Sequence, residues 1–427
     1  MKPALPRSDI ARALASLRDF QRDTAEYVFD RLYGSADPCR RILVSDEVGL
    51  GKTFVARGVI AKALEHLWDR VERIDIVYIC SNAAIARQNV NRLGVLGGED
   101  YGFRSATRLT LLATEVAKLG NVNFVALTPS TSFDLGSSLG TAGERALLYW
   151  LLKKCWGFRD GSAPYNVLCG NADRNNFKSM VERRTPDNQT LAHLSKKLAT
   201  EMDRRPGLSD EFEALCATFG RSNAKVDRED RKRRNAFIGS VRRHLARVCI
   251  GALSPDIVIL DEFQRFKDLL GSESEASELA GHLFDYQDEH SDAKVILLSA
   301  TPYKMLTMQS GEGDEDHYRD FLKTLEFLVP DKDRFAEYRE CVVRFRRELL
   351  RLPSGGDVAQ VDGAKRQLET MLRKVIVRTE RLAATTHRGG MLIERPLNER
   401  LEPQDLRTYI DSSKVAAVVG HEEVIEF

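Results

Sequence analysis

Residues 46–53 read Asp46-Glu47-Val48-Gly49-Leu50-Gly51-Lys52-Thr53, one residue after the apolar run Ile42-Leu43-Val44 and directly before an amphipathic stretch. A strand, a glycine-bearing loop and a helix in that order are the context that a phosphate-binding loop requires. Glycines let backbone N–H groups approach phosphate oxygens, and the start of the following helix adds positive potential. In such a loop Lys52 reaches the β- and γ-phosphates of ATP, and the Thr53 hydroxyl joins Mg²⁺. Glu47, Gly49, Leu50 and Gly51 line the rest of the turn. The strict pattern has Gly at position 46, where this chain has Asp. Taken alone, the stretch also reads as a Gly-rich turn before an ordinary helix, so its partners matter.

Those partners lie downstream. Four more short apolar runs follow: Ile76-Val77-Tyr78-Ile79, Phe124-Val125-Ala126-Leu127, Ile257-Val258-Ile259-Leu260 and Val295-Ile296-Leu297-Leu298. Continuous apolar runs suit parallel strands buried on both faces. Between them, Val55, Val59, Ile60, Ala63, Leu64, Leu67, Trp68 and Val71 recur at helical spacing. The alternation predicts an α/β fold with a mostly parallel sheet and helices on both sides. Asp261-Glu262-Phe263-Gln264 closes the fourth of the five runs. A phosphoryl-transfer site needs one carboxylate for the metal and one group to orient the attacking water. Asp261 suits the first role and Glu262 the second. Ser299-Ala300-Thr301-Pro302 closes the last run. The Ser299 and Thr301 hydroxyls, with Gln264, are candidates to couple the nucleotide site to a moving partner.

Composition excludes several classes. The chain has 427 residues, 43% hydrophobic and 30% charged, which fits two or three folded domains rather than a disordered chain. Sixty-four basic residues against sixty-three acidic ones leave a net charge of +1, so a uniformly basic coat is excluded. No apolar run is long enough to span a membrane. The start, MKPALPRSDIARALASL, carries charges where a signal peptide needs an apolar stretch. Seven scattered cysteines without a CxxC pair suit a reducing cytoplasm better than a disulfide or zinc framework.

The charge is unevenly spread. Residues 221–247 hold ten basic and three acidic residues, whereas 311–340 hold five basic and ten acidic ones. From about Gly170 to Ile250 no strand is evident, which predicts a basic helical insertion. Its cluster Arg231, Lys232, Arg233 and Arg234 is a candidate for phosphate contacts with a nucleic acid. The ordinary alternative is a solvated helix face. Gly311–Asp316 reads as a mobile acidic loop and Pro353–Gly356 as a second loop. Tyr149, Trp150 and Trp156 read as core. The expected segments are a first part of the lobe over 1–170, the insertion over 171–250, a second part over 251–330, a helical brace over 331–400 and a linker over 401–427.

Together, the three motifs at strand ends resemble the first RecA-like lobe of superfamily 2 helicases and translocases, relatives of the DEAD/DEAH-box enzymes. Within these, residues 46–53 resemble the DExGLGKT loop of Swi/Snf-like motors, which accounts for Asp46. Leu17-Arg18-Asp19-Phe20-Gln21 resembles the LRxYQ segment of that group, and this implies that Gln21 contacts adenine. Tyr78-Ile79-Cys80-Ser81-Asn82 stands where motif Ia falls, and Leu127-Thr128-Pro129-Ser130 resembles motif Ib. The resemblance implies nucleic-acid backbone contacts for Ser81, Asn82, Thr128 and Pro129. Leu372-Arg373-Lys374-Val375-Ile376-Val377-Arg378 resembles the segment before the crossover to a second lobe. Gln264 stands where His is commoner among Swi/Snf-like enzymes. Residues 261–270, 128–133 and 143–152 resemble helicases of bacterial anti-phage and restriction loci.

The resemblance covers one lobe, and the motifs of a second lobe are not seen. In this family ATP lies between two lobes, and arginines of the second stabilise the transition state. The expected function is therefore the ATP-binding lobe of an ATP-dependent DNA helicase or translocase. Its expected partners are ATP, Mg²⁺, a nucleic acid taken as DNA, and a second RecA-like lobe in a longer chain or a partner chain. Weak ATP hydrolysis in isolation follows. A nucleotide-gated protein-interaction module without motor action is the alternative.

Overall fold

The computed structural model describes residues 4–47, 49–96, 101–105, 109–116, 120–133, 139–220, 226–271, 274–288, 292–299, 312–352 and 356–379, with 407 and 411. The chain divides into the units Met1–Glu380 and Arg381–Phe427, and the features below belong to the first. The expected linker over 401–427 lies outside the described residues, 407 and 411 excepted.

The strands are β1 (Arg41–Val44), β2 (Ile74–Ile79), β3 (Tyr101–Ser105), β4 (Val122–Leu127), β5 (Ile257–Asp261), β6 (Lys294–Leu298) and the two-residue β7 (Ile376–Val377). They form one sheet in the order β3-β4-β2-β5-β6-β1-β7, and every pairing is parallel. The expected α/β class with a parallel sheet is thus present. Alternate residues face opposite sides of a strand, so each apolar run serves two cores. Leu43, Val77, Ile79, Val258, Leu260, Val295 and Leu297 face one side. The helices Glu275–Phe284, Glu312–Leu328, Lys332–Arg351 and Val358–Leu372 cover them. Ile42, Val44, Ile76, Tyr78, Ile259, Ile296 and Leu298 face the other side, under Arg7–Ala15, Asp19–Phe29, Lys52–Leu67 and Ala83–Leu93. Among the described residues no helix is long and apolar enough to cross a membrane.

A third core is wholly helical and corrects the expected boundaries. It joins Ala142–Trp156, Ser162–Cys169, Arg174–Arg183, Asn188–Met202, Leu208–Phe219 and the long helix Arg228–Leu253. The insertion therefore starts near 142, and the expected boundary at 170/171 falls inside it. The helix Ala142–Trp156 buries residues around its whole circumference, among them Leu147, Leu148, Tyr149, Leu151 and Leu152. Such a helix lies at a core's centre. Tyr149 is fully buried and the Trp150 indole donates to the Val181 carbonyl at 2.9 Å. The helix Arg228–Leu253 leaves this core and delivers the chain to β5 through Ser254 and Asp256. A second correction concerns 312–316, expected as a loop. These residues open the helix Glu312–Leu328, so the helical brace begins before residue 331.

One buried ion pair ties the helical unit together. Glu144 and Arg242 have fully buried side chains 3.0 Å apart. Thr110 Oγ1 donates to Glu144 Oε1, and the Thr141 N–H to Oε2, both at 2.7 Å. Burial alone would raise the Glu144 carboxyl, but Arg242 and these hydrogen bonds outweigh it and hold it below the usual range. Removing one partner strands the other charge in a dry interior. Arg242→Met should therefore cost about 3–5 kcal/mol, read as a lower urea midpoint, while the double variant Glu144→Met/Arg242→Met should lose much less.

Candidate functional site at the carboxyl edge of the sheet

The loop expected to bind phosphate leaves β1 at Val44 and meets the helix Lys52–Leu67. Gly49 and Gly51 both take left-handed backbone angles, φ 86° and 83°. A side chain at residue 51 is also blocked by space: an added Cβ would lie 2.7 Å from Gln21 Nε2. The loop wraps round its own lysine, whose Nζ donates to the Asp46 carbonyl at 3.0 Å and the Glu47 carbonyl at 3.5 Å. Gln21 braces the loop from outside. Its Nε2 donates to the Leu50 carbonyl at 2.8 Å, and its Oε1 accepts the Arg18 N–H at 3.1 Å. The structure thus gives Gln21 a partner inside the loop itself. Thr53 is half-buried on the first helical turn, and Val48 lies outside the described residues.

Asp46, the departure from the strict pattern, has a structural reason. Its side chain is fully buried, and Oδ1 accepts the Thr379 N–H at 2.8 Å. Ser45 N–H donates to the Val377 carbonyl at 2.8 Å and Glu47 N–H to the Thr379 carbonyl at 3.3 Å. The segment after β7 is therefore laced to the phosphate loop, and a glycine at position 46 would lack the acceptor. Burial pushes the Asp46 carboxyl up, against the Thr379 hydrogen bonds and the Lys52 charge.

The acidic side of the site follows from strand order. β6 lies between β1 and β5, with Val44 opposite Leu298 and Leu298 opposite Asp261. Burial pushes the Lys52 ammonium below its usual range, while Asp46, Asp261 and Glu262 oppose the shift, so all three carboxylates act on it. Asp261 is raised by burial; the Tyr78 hydrogen bond and Lys52 oppose this, and Glu262 adds to it. The Tyr78 hydroxyl donates to Asp261 Oδ2, and Asn89 Nδ2 donates to the same oxygen at 3.2 Å. No described residue hydrogen-bonds Asp261 Oδ1. Glu262 is a non-glycine residue with φ 51°, a strained conformation that concentrates at functional sites. Its half-exposed carboxylate pairs with Arg265 at 2.9 Å. Gln264 Nε2 donates to the fully buried Ser299 Oγ, which joins two of the expected coupling residues. Thr301 lies outside the described residues.

The donor set could hold a nucleotide and a metal ion. Two left-handed glycines open a backbone cradle, an ammonium sits beside it, and a hydroxyl and a strand-end carboxylate flank it. Among the described residues no group of three His, Cys, Asp or Glu side chains could hold a metal ion. An ion here would share Thr53 and Asp261 with phosphate oxygens and water, the shell that Mg²⁺ favours.

The expected nucleic-acid residues divide in two. Ser81 and Asn82 follow β2 and are exposed, and Asn82 caps the helix Ala83–Leu93 by accepting the Ala84 N–H at 2.8 Å. Thr128 and Pro129 follow β4 and open the short helix Pro129–Ser132. Arg231, Lys232 and Arg233 are exposed, with Lys232 3.2 Å from Glu229. Arg234 corrects the expected cluster: it is 5% exposed and donates to the Gly170 carbonyl at 3.2 Å and Asn171 Oδ1 at 3.1 Å. Further along, Arg242 is internal, Arg243 pairs with Glu275, and Arg247 pairs with Glu201 and Glu278. A count of basic residues overstates the basic surface because a helix turns some of them inward.

The contacts of Tyr78 and Asn89 with Asp261, and of Thr379 with Asp46, are what sequence reasoning missed. Tyr78 reads as one more apolar strand residue, Asn89 as a polar position on a surface helix, and Thr379 contributes through its backbone. Gly51→Ala should lower stability by about 1–2 kcal/mol through its left-handed backbone alone, measured by chemical denaturation. Gln21→Ala should relieve the side-chain contact in that variant without removing the backbone part. Compared with models of known protein families the sequence matches none, and comparison with curated proteins gives no match either.

Proposed function

We propose that this chain is the ATP-binding, RecA-like lobe of a superfamily 2 DNA helicase or translocase of the Swi/Snf-like kind. One observation carries the reading. Val44, Leu298, Asp261, Ile79 and Leu127 end five parallel strands in register, or one residue from it, so the described residues that directly follow these strand ends start from one edge. Open α/β sheets bind ligands at that carboxyl edge. On this reading the loop N–H groups and Lys52 hold the phosphates of ATP, and Thr53 and Asp261 hold Mg²⁺. A bound ion would supply neutralisation of phosphate charge. Glu262 orients the attacking water, and the Gln264–Ser299 hydrogen bond relays the state of the site to a second lobe. Ser81, Asn82, Thr128 and Pro129 meet the nucleic-acid backbone further along the same edge. A second lobe supplies an arginine, a contribution of about 10³–10⁵ in rate. The seven free thiols suit a reducing cytoplasm. A bacterial anti-phage role is the setting that the resemblance suggests.

The second reading, a nucleotide-gated interaction module, draws on the helical unit. Arg234, Arg242, Arg243 and Arg247 are all engaged within the chain, which leaves a surface better matched to a protein than their number suggests.

Lys52→Ala should weaken ATP binding about 10-fold or more, and Glu262→Gln should retain binding while blocking hydrolysis, as scored by a fluorescent nucleotide titration and phosphate release. Turnover by the 427-residue chain alone should stay far below the ~1–100 s⁻¹ of an efficient phosphoryl-transfer enzyme. Turnover near that rate on DNA would sink the two-lobe assignment. Changing Arg231, Lys232 and Arg233 to Glu should weaken DNA binding at low salt. Unchanged affinity would remove the basic strip from the interface and, if ATP alone alters protein-partner affinity, would favour the module.

A further inference from the structure

Tyr78 and Asn89 are organised around one oxygen of Asp261. Tyr78 lies on β2 opposite Ile259 of β5, two residues before Asp261, so the alternation of side chains brings residues 78 and 261 to the same face. Its ring is fully buried with Ile259, Val90 and Leu93 in the core on that face. A phenylalanine would fill the same space, and a hydroxyl in such a core is costly unless bonded. Here it is bonded in both directions: it donates to Asp261 Oδ2 and accepts from Asn89 Nδ2 at 2.9 Å. Asn89 also donates to Oδ2 itself, at 3.2 Å. Two donors from two elements on one oxygen stop the carboxylate from turning about its terminal bond.

We propose that Tyr78 and Asn89 are positioning residues for a divalent cation bound with nucleotide: they hold Asp261 Oδ2 and leave Oδ1 as the oxygen presented to the phosphate loop. The proposal rests on the nucleotide reading above. Neither residue touches nucleotide or metal; both act through Asp261, in the way that outer partners of metal ligands set ligand orientation. Asn89 belongs to the helix Ala83–Leu93, whose cap is the exposed Asn82. The metal carboxylate is thus tied to an element that starts at the expected nucleic-acid edge, and a shift of that helix changes the hold on Asp261.

The test is the Mg²⁺ dependence of nucleotide binding by the full chain, with a fluorescent ATP analogue titrated first in chelator and then at rising Mg²⁺. Tyr78→Phe and Asn89→Ala should each raise the half-saturating Mg²⁺ about 10-fold, the size typical for outer partners of a metal site. Affinity for the metal-free nucleotide should stay as in the wild type, whereas a merely structural loss lowers both. Both residues serve the same oxygen, so either variant decides if the other fails to fold. Wild-type Mg²⁺ dependence in a folded variant overturns the proposal. Nucleotide binding that ignores both Mg²⁺ and Lys52→Ala, or no binding at all, instead overturns the nucleotide reading and takes the proposal with it.

Discussion

The parallel ladder of β1, β6 and β5 is the constraint on which the site depends. Parallel strands share a direction, so their carboxyl ends form one edge, and backbone hydrogen bonds set the register residue by residue. Val44 faces Leu298, and Leu298 faces Asp261. Lys52 and Asp261 lie 209 positions apart in the chain, yet they act on each other electrostatically. A slip of one residue in the pairing of β5 with β2 would turn Asp261 to the face of the sheet opposite Tyr78. The helical unit joins this arrangement through the helix Arg228–Leu253, which runs through its core and ends three residues short of β5.

Three carboxylates show how the fold holds charge away from water. Glu144 and Arg242 neutralise each other inside the helical unit. Asp46 takes a backbone N–H from the segment after β7, and Asp261 takes a hydroxyl and an amide. These groups differ in what they leave open. The Glu144 oxygens are both engaged, as befits a purely structural pair. Among the described residues Asp261 is held by one oxygen, with Lys52 among the charges that act on it.

Much of the fold was legible because apolar runs buried on both faces have few alternatives. The five runs at 42–44, 76–79, 124–127, 257–260 and 295–298 all lie in strands. β3 was not legible, since Tyr101–Ser105 mixes Gly102 and Arg104 into an edge strand. β7 was not either, because two residues carry no period and pair only where β1 offers a free edge. The helix Ala142–Trp156 was not legible as part of the insertion, since its apolar run Ala146–Leu152 does not say which core it enters. The acidic residues at 312–316 suggested a loop, but they open a helix, where negative charge is favourable.

The sequence by itself determined the local chemistry: a glycine turn that can approach phosphates, an acidic pair at a strand end, and a hydroxyl at another. These are short-range properties, set by backbone freedom and by the polarity of neighbouring residues. The tertiary structure alone decided which groups meet. It paired Gln21 with Leu50, Asp46 with Thr379, Gln264 with Ser299, and Asp261 with Tyr78 and Asn89. It also turned Arg234 inward while leaving Arg231, Lys232 and Arg233 exposed. The physical reason is that burial and hydrogen-bond partnership belong to packed surfaces. A residue's type states what it can donate or accept, and only the register of the sheet and the facing of the helices determine what it meets.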